Sequence, residues 1–210
     1  MGGGAAFSRS DGSPKRRQIV TAAERLFLAH GYGAVSMDAI ARAAQVSKAT
    51  LYAHFASKDA LFAGVVAEVG SDNPVAGDLF PTDNPDLLGQ LRRIGHSALH
   101  FMLRERTLSI YRVTMAETAR FPELGRVFYE NGPQRFRQMF QTWVAGQVAR
   151  GVVTAEDPSI ASDQFMALLR CGVFFRASLS LQPPPTDAEI DATVEAAVAT
   201  WLKAFAAPAG

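Results

Sequence analysis

Apolar residues recur along this chain three or four positions apart, and no stretch alternates apolar and polar residues as a half-buried strand would. Ile19, Ala23, Leu26, Phe27 and His30 make the stripe of a first helix over 14–30, which Gly31-Tyr32-Gly33 stops. Ser36 reads as the cap of a second helix over 37–44, with Asp38 in the first turn where the helix dipole favours an anion. Ser47 caps a third over 48–55, and Ser57 caps a fourth that carries Leu61, Phe62, Val65, Val66 and Val69. The periodicity then lapses among Pro74, Pro81 and Pro85. Beyond this interruption a fifth helix runs from Leu87 to Leu103 and a sixth from Leu108 to Ala119. A long seventh bears Leu124 to Val148 and is expected to kink near 131–133, because Gly132-Pro133 deletes a backbone bond. Asp157-Pro158 opens an eighth that Pro183-Pro184-Pro185 ends, and Thr186 with Glu189 forms the capping box of a ninth. The pattern predicts an all-α fold of about nine helices.

Five segments follow from this pattern. They are a disordered tail at 1–13, a three-helix head at 14–56, a connecting helix at 57–70, a linker at 71–85 and a helical body at 86–206. Composition narrows the picture further. Of 210 residues, 48% are hydrophobic and 20% charged, which excludes a disordered or fibrous chain. A single cysteine, Cys171, excludes a disulfide-built secreted domain, and neither a membrane span nor an export signal is visible, so a cytoplasmic protein is expected. Cys171 lies among Leu168, Leu169, Val173 and Phe174, and a buried, inert thiol is the expectation there.

Charge is placed unevenly. Residues 1–62 hold eight basic groups against four acidic ones, a net of +4 in a chain whose total is only +1. A basic head on an acidic body suggests that the head meets a polyanion.

The head's local pattern points the same way. The second and third helices are joined by Gln45-Val46-Ser47, a turn of helix-turn-helix size, and small Ala41, Ala43 and Ala44 let them approach closely. The second of the pair would offer Lys48, Ala49, Thr50, Tyr52 and His54 to a major groove, which admits one helix and is read by its first turn. Tyr52, His54 and Lys58 are spaced to reach flanking phosphates, with Ser36 and Ser57 presenting helix N-termini to the same backbone; Lys48 could do either job, and Ser47, the cap of the third helix, is a further candidate contact.

Val35–Leu61 resembles the DNA-binding head of TetR-family transcriptional regulators, through Met37-Asp38-Ala39-Ile40-Ala41, Val46-Ser47-Lys48-Ala49-Thr50-Leu51-Tyr52, His54-Phe55 and Ser57-Lys58-Asp59-Ala60-Leu61. Gln45 departs from the glycine common in that turn, where a left-handed conformation costs Gln about 1 kcal/mol; Ala49 departs from a common glycine and Ala53 from a larger residue, so the DNA sequence read would differ from that of relatives. Phe121-Pro122-Glu123-Leu124-Gly125-Arg126-Val127-Phe128-Tyr129 with Gly132-Pro133 is similar to the C-terminal domain of the AefR-like branch. The resemblance implies a repressor that binds a double-stranded DNA operator and is released by a small, largely apolar effector held in the body. His96, His100, Phe101, Tyr111, Arg112, Met115, Phe128, Asn131, Phe136 and Trp143 are the candidate effector contacts.

No catalytic constellation can be assembled, and neither a cofactor nor a metal is expected. His96 and His100 stand at i, i+4, but no third ligand accompanies them. The eighth helix is apolar nearly all round, which implies burial on two sides and a homodimer formed through helices eight and nine. The alternative is an all-helical ligand-binding protein or enzyme with a vestigial head. Retention of Lys48, Thr50, Tyr52, His54 and Lys58 together argues against it.

Overall fold

The computed structural model describes residues 13–71, 79–81 and 85–208. The expected tail, apart from Ser13, and most of the expected linker lie outside the described residues. Among those described there are eleven helices and no strand: α1 (Pro14–His30), α2 (Met37–Ala43), α3 (Lys48–His54), α4 (Lys58–Ser71), α5 (Leu87–Leu103), α6 (Glu105–Glu117), α7 (Pro122–Asn131), α8 (Pro133–Ala149), α9 (Pro158–Arg170), α10 (Val173–Ser178) and α11 (Asp187–Phe205). None of them is long and apolar enough to cross a membrane.

Two more helices are present than the sequence pattern predicts. The expected kink at Gly132-Pro133 is a full break, with Gly132 outside both helices and Pro133 opening α8, a position where proline's missing N–H costs nothing. The expected eighth helix is also two. Cys171 is extended and Gly172 has φ +60°, so the chain turns out of α9 before α10 starts. That turn carries Cys171 to the surface, which corrects the expectation of a buried thiol. The sixth helix starts at Glu105 rather than Leu108, directly after extended Arg104 ends α5.

The chain forms two compact units. The first takes in α1–α4, the C-terminal part of α6, and α7, so the 109–134 segment groups with the head rather than with the rest of the expected body. Its core is Ile19, Ala23, Phe27, Ile40, Leu51, Leu61, Phe62 and Val65 with Leu124 of α7, each essentially inaccessible. Phe27, Tyr32 and Phe62 meet with ring centres 5.4–5.8 Å apart, and Phe121 lies 5.4 Å from Tyr32 on its edge. These aromatic contacts join α1 and α4 to the turn before α7.

The second unit contains residues 79–81, α5, the start of α6, and α8–α11. Leu91, Ile94, Leu99, Phe140, Val144, Phe165, Leu169, Val194, Val198 and Trp201 build its core. Trp201 Nε1 donates to the Ala161 carbonyl at 2.8 Å, and Trp143 Nε1 donates to the Pro81 carbonyl and to Gln90 Oε1, each at 3.1 Å. Both indoles are thereby buried without an orphaned donor. The second of them also pins the 79–81 segment to α5 and α8.

Candidate nucleic-acid interface

Within the first unit, α2 and α3 take their positions from their caps. Ser36 accepts from the Ala39 amide at 3.1 Å, and Ser47 accepts from the Thr50 amide at 3.0 Å, each satisfying a first-turn N–H. Between them Gln45 adopts φ +51°, the left-handed conformation anticipated for that turn, and Val46 donates back to the Ala41 carbonyl. Leu51 and Phe55 are buried, so the two ends of α3's inner face are fixed against the core. The remaining face is presented to solvent: Lys48, Ala49, Tyr52 and Ala53 at i, i+1, i+4, i+5, with His54 beside them. Tyr52 is half exposed although it is a large apolar ring.

Each predicted contact residue can be placed. Lys48 is exposed and forms a 2.5 Å ion pair with Asp38, tying the first turn of α3 to that of α2. Thr50 is half-buried, with its hydroxyl 2.8 Å from that of Ser47. Ser36, Ser47, Ala49 and His54 are exposed.

Lys58 makes contacts within the head that its place in the sequence does not announce. Its ammonium donates to the carbonyls of Tyr32 and Val35, both at 2.9 Å, and lies 4.2 Å from the centre of the Tyr32 ring. Burial pushes its pKa below the usual lysine value. Lys58 thus braces the 31–36 loop onto α4. Tyr32, the residue it braces, donates its hydroxyl to Asp59, and burial is the first cause of its raised pKa. The sequence marks this seat only by the two glycines that flank Tyr32. An open notch of about 460 Å³ lies between the 33–38 segment, Tyr52 and Lys58.

The candidate effector contacts divide between the units. In the first, Tyr111 and Phe128 are half-buried with ring centres 6.2 Å apart, Arg112 is half-buried, Asn131 donates to the Val127 carbonyl, and Met115 is 61% exposed. In the second, His96 is half-buried and stacks on exposed His100 with ring centres 6.1 Å apart, and Phe101 is half-buried beneath the Arg104 guanidinium. Phe136 packs on Phe80 and Phe140. Trp143 is a core residue, with its one donor already satisfied within the fold. His96 Nδ1 comes within 3.6 Å of Asp191, but among the described residues no three His, Cys, Asp or Glu side chains are grouped to hold a metal ion.

A buried-core head that offers one face of a short second helix beyond a left-handed turn defines a helix-turn-helix DNA-binding protein. Its similarity to known proteins gives the family within that class. Residues 19–65 match the bacterial regulatory proteins of the tetR family, and residues 89–207 match the AefR-like transcriptional repressor C-terminal domain. The chain belongs to the TetR family of transcriptional regulators. It is similar to the Flavonoid-responsive Regulator FrrA at 34% identity and TM-score 0.78, over 93% of this chain and 98% of that one. A TetR-family regulator from Mesorhizobium loti superposes with TM-score 0.80 at 27% identity, over 91% of this chain and 96% of that one. An HTH-type transcriptional regulator of Mycobacterium tuberculosis is 28% identical over 177 residues, 83% of this chain and 82% of the relative.

Proposed function

We propose that the protein is a homodimeric repressor that grips a twofold operator with α3 and lets go when a small, largely apolar effector binds its helical body. The observation that carries the DNA half is the solvent-facing edge of α3, where Lys48, Ala49, Tyr52 and Ala53 stand clear while Leu51 and Phe55 hold the helix in place. Lys48 and Thr50 at the first turn reach base edges, and Tyr52 and His54 reach the flanking sugar-phosphate. Ser36, Ser47 and Ala49 line the same approach. A phosphate fits the notch between the 33–38 segment and Tyr52, where Lys58 supplies field rather than a direct bond.

Exposed Ile160, Phe175, Leu179 and Leu181 on α9, α10 and the segment beyond support the dimer, and so does the small-residue outer face of α11 at Ala192, Ala196 and Ala199. The effector half is supported by the aromatic pair Tyr111 and Phe128 in the first unit, by His96, His100, Phe101 and Phe136 in the second, and by likeness to a flavonoid-responsive regulator. Arg112, Met115 and Asn131 are further candidates for its contacts. An aromatic effector carrying hydroxyl groups suits these side chains.

Selection of duplexes from a random library on the purified protein supplies the operator. Lys48→Ala and Thr50→Ala are expected to change the order of preference among selected sequences, by about 1–3 kcal/mol at the base pair each reads. Parental preference in both variants refutes the α3 assignment. An effector drawn from a panel of flavonoids must lower operator affinity by the factor by which operator lowers effector affinity. Equal effector binding with and without saturating operator refutes the release mechanism.

A further inference from the structure

The first turn of α1 carries three consecutive cations, Lys15, Arg16 and Arg17, and no acid. Asp or Glu stands in the first turn of α2, α4, α6, α7 and α11, and the acid-free first turns of α3 and α8 hold a single cation each, Lys48 and Arg135, rather than three. Cations at a helix N-terminus oppose the dipole and weaken the helix, so this run is not there for the stability of α1. A local rule broken without a structural gain points to function.

Arg16 shows where the run is held. Its guanidinium lies 5.0 Å over the ring of Phe55, the buried residue that closes α3. Gly64 of α4 permits the arrangement, since a Cβ there would come 2.8 Å from the Phe55 ring and 3.6 Å from Arg16 Nη2. The start of α1 is thus fastened beside the C-terminal end of the recognition helix, at the edge of the surface α3 presents. Successive side chains turn by about 100° around a helix, so Lys15 and Arg17 project to either side of the anchored Arg16. Both are exposed, and neither side chain has an ion pair or hydrogen bond to another described residue.

We propose that Lys15 and Arg17 form a second DNA contact, on backbone phosphates that flank the groove occupied by α3, with Arg16 as the residue that positions them. This rests on the reading of α3 as the recognition helix. It adds a sequence-independent grip outside the footprint of α3. Its partners are phosphates rather than base edges, because the pair stands beside the C-terminal end of α3, outside the groove that α3 fills, where Arg17 can fork onto a phosphate and Lys15 can meet one as a point charge.

The test uses the full chain, the selected operator duplex and fluorescence anisotropy across a series of salt concentrations. If each side chain neutralises one phosphate, K15Q/R17Q removes four contacts per dimer. The slope of log K against log salt should then fall in magnitude by about 3 to 4. Preferred and scrambled duplexes should lose affinity by the same factor at fixed salt. Trimming base pairs from both ends of the duplex should weaken the parent while leaving the variant unchanged. The melting temperature should hold or rise slightly, which separates the effect from misfolding. An unchanged slope in the variant, with the parent still selective and salt-dependent, overturns this inference and leaves the α3 assignment intact. A loss confined to particular flanking sequences overturns the phosphate assignment. A parent that selects no sequence at all overturns the α3 reading, and this inference with it.

Discussion

Lys58 shows how far a single residue's role can depend on its neighbours in space. In sequence it follows a serine cap in a basic segment and reads as a phosphate ligand, whereas in the fold its ammonium is engaged by the Tyr32 and Val35 carbonyls. Lys58→Met should lower stability by about 1–3 kcal/mol, because two part-buried acceptors lose a charged donor. Lys48→Ala, at an exposed position, should shift stability by no more than about 0.5 kcal/mol. Thermal denaturation of both variants distinguishes a strut from a contact, and an unaltered melting temperature for Lys58→Met would return Lys58 to the DNA surface. Gln45 is a residue whose strain was legible directly. A non-glycine side chain at φ +51° costs about 1 kcal/mol, so Gln45→Gly should raise the melting temperature, and a fall would show that the exposed amide contributes more than its backbone loses.

At the scale of the element, helix starts were easier to read than helix breaks. Ser36, Ser47, Ser57, Asp157 and Thr186, the caps expected from sequence, all accept from an amide two or three residues on, as Ser13 and Asp86 do without having been expected, because a cap is a local contest among a few backbone groups. The capping box of α11 gives a pH prediction. Glu189 accepts from the Thr186 amide and from Arg176, and these bonds, the Thr186 amide above all, hold its pKa below the usual glutamate value. A carboxylate favoured when folded contributes stability above its unfolded pKa and loses it as pH falls through the folded one. Acidification below about pH 4.5 should therefore loosen the start of α11, and Glu189→Gln should blunt that part of the acid response in a melting series. Thr186→Ala should cost about 1 kcal/mol at neutral pH. The separation of α9 from α10 had no comparable signal, since Gly172 stands in an apolar run that continues the helical period across it.

For the whole molecule, the apolar face left open in the second unit is the main consequence of that break. Phe175 is 63% exposed, with Leu179 and Leu181 close behind it in exposure, more large apolar surface than one short helix carries without a partner. Phe175→Asp with Leu179→Asp should convert the proposed dimer to monomer in sedimentation at micromolar concentration while leaving the helical signal intact. Operator affinity should fall with it, because a twofold site is held by two heads about 34 Å apart and one head alone loses the second half-site. A variant that sediments like the parent would place the interface elsewhere.

The sequence by itself determined the fold class, the caps, the left-handed turn at Gln45 and the family of the head. Each of these is a short-range property, readable from residues within a turn or two of one another. It also carried the basic bias of the head, which is a sum over residues and needs no coordinates. What only the tertiary structure decided was where side chains of similar chemistry end up. Lys58 lies beneath a loop while Lys48 stands in solvent, Trp143 belongs to the core with Phe140 and Phe165, and Cys171 faces outward. It also decided that Arg16, 39 positions before Phe55, lies over its ring, and that the 109–134 segment packs with the head. Those outcomes depend on which distant apolar surfaces find each other, and the packing of one surface against another is not written in the local period of either.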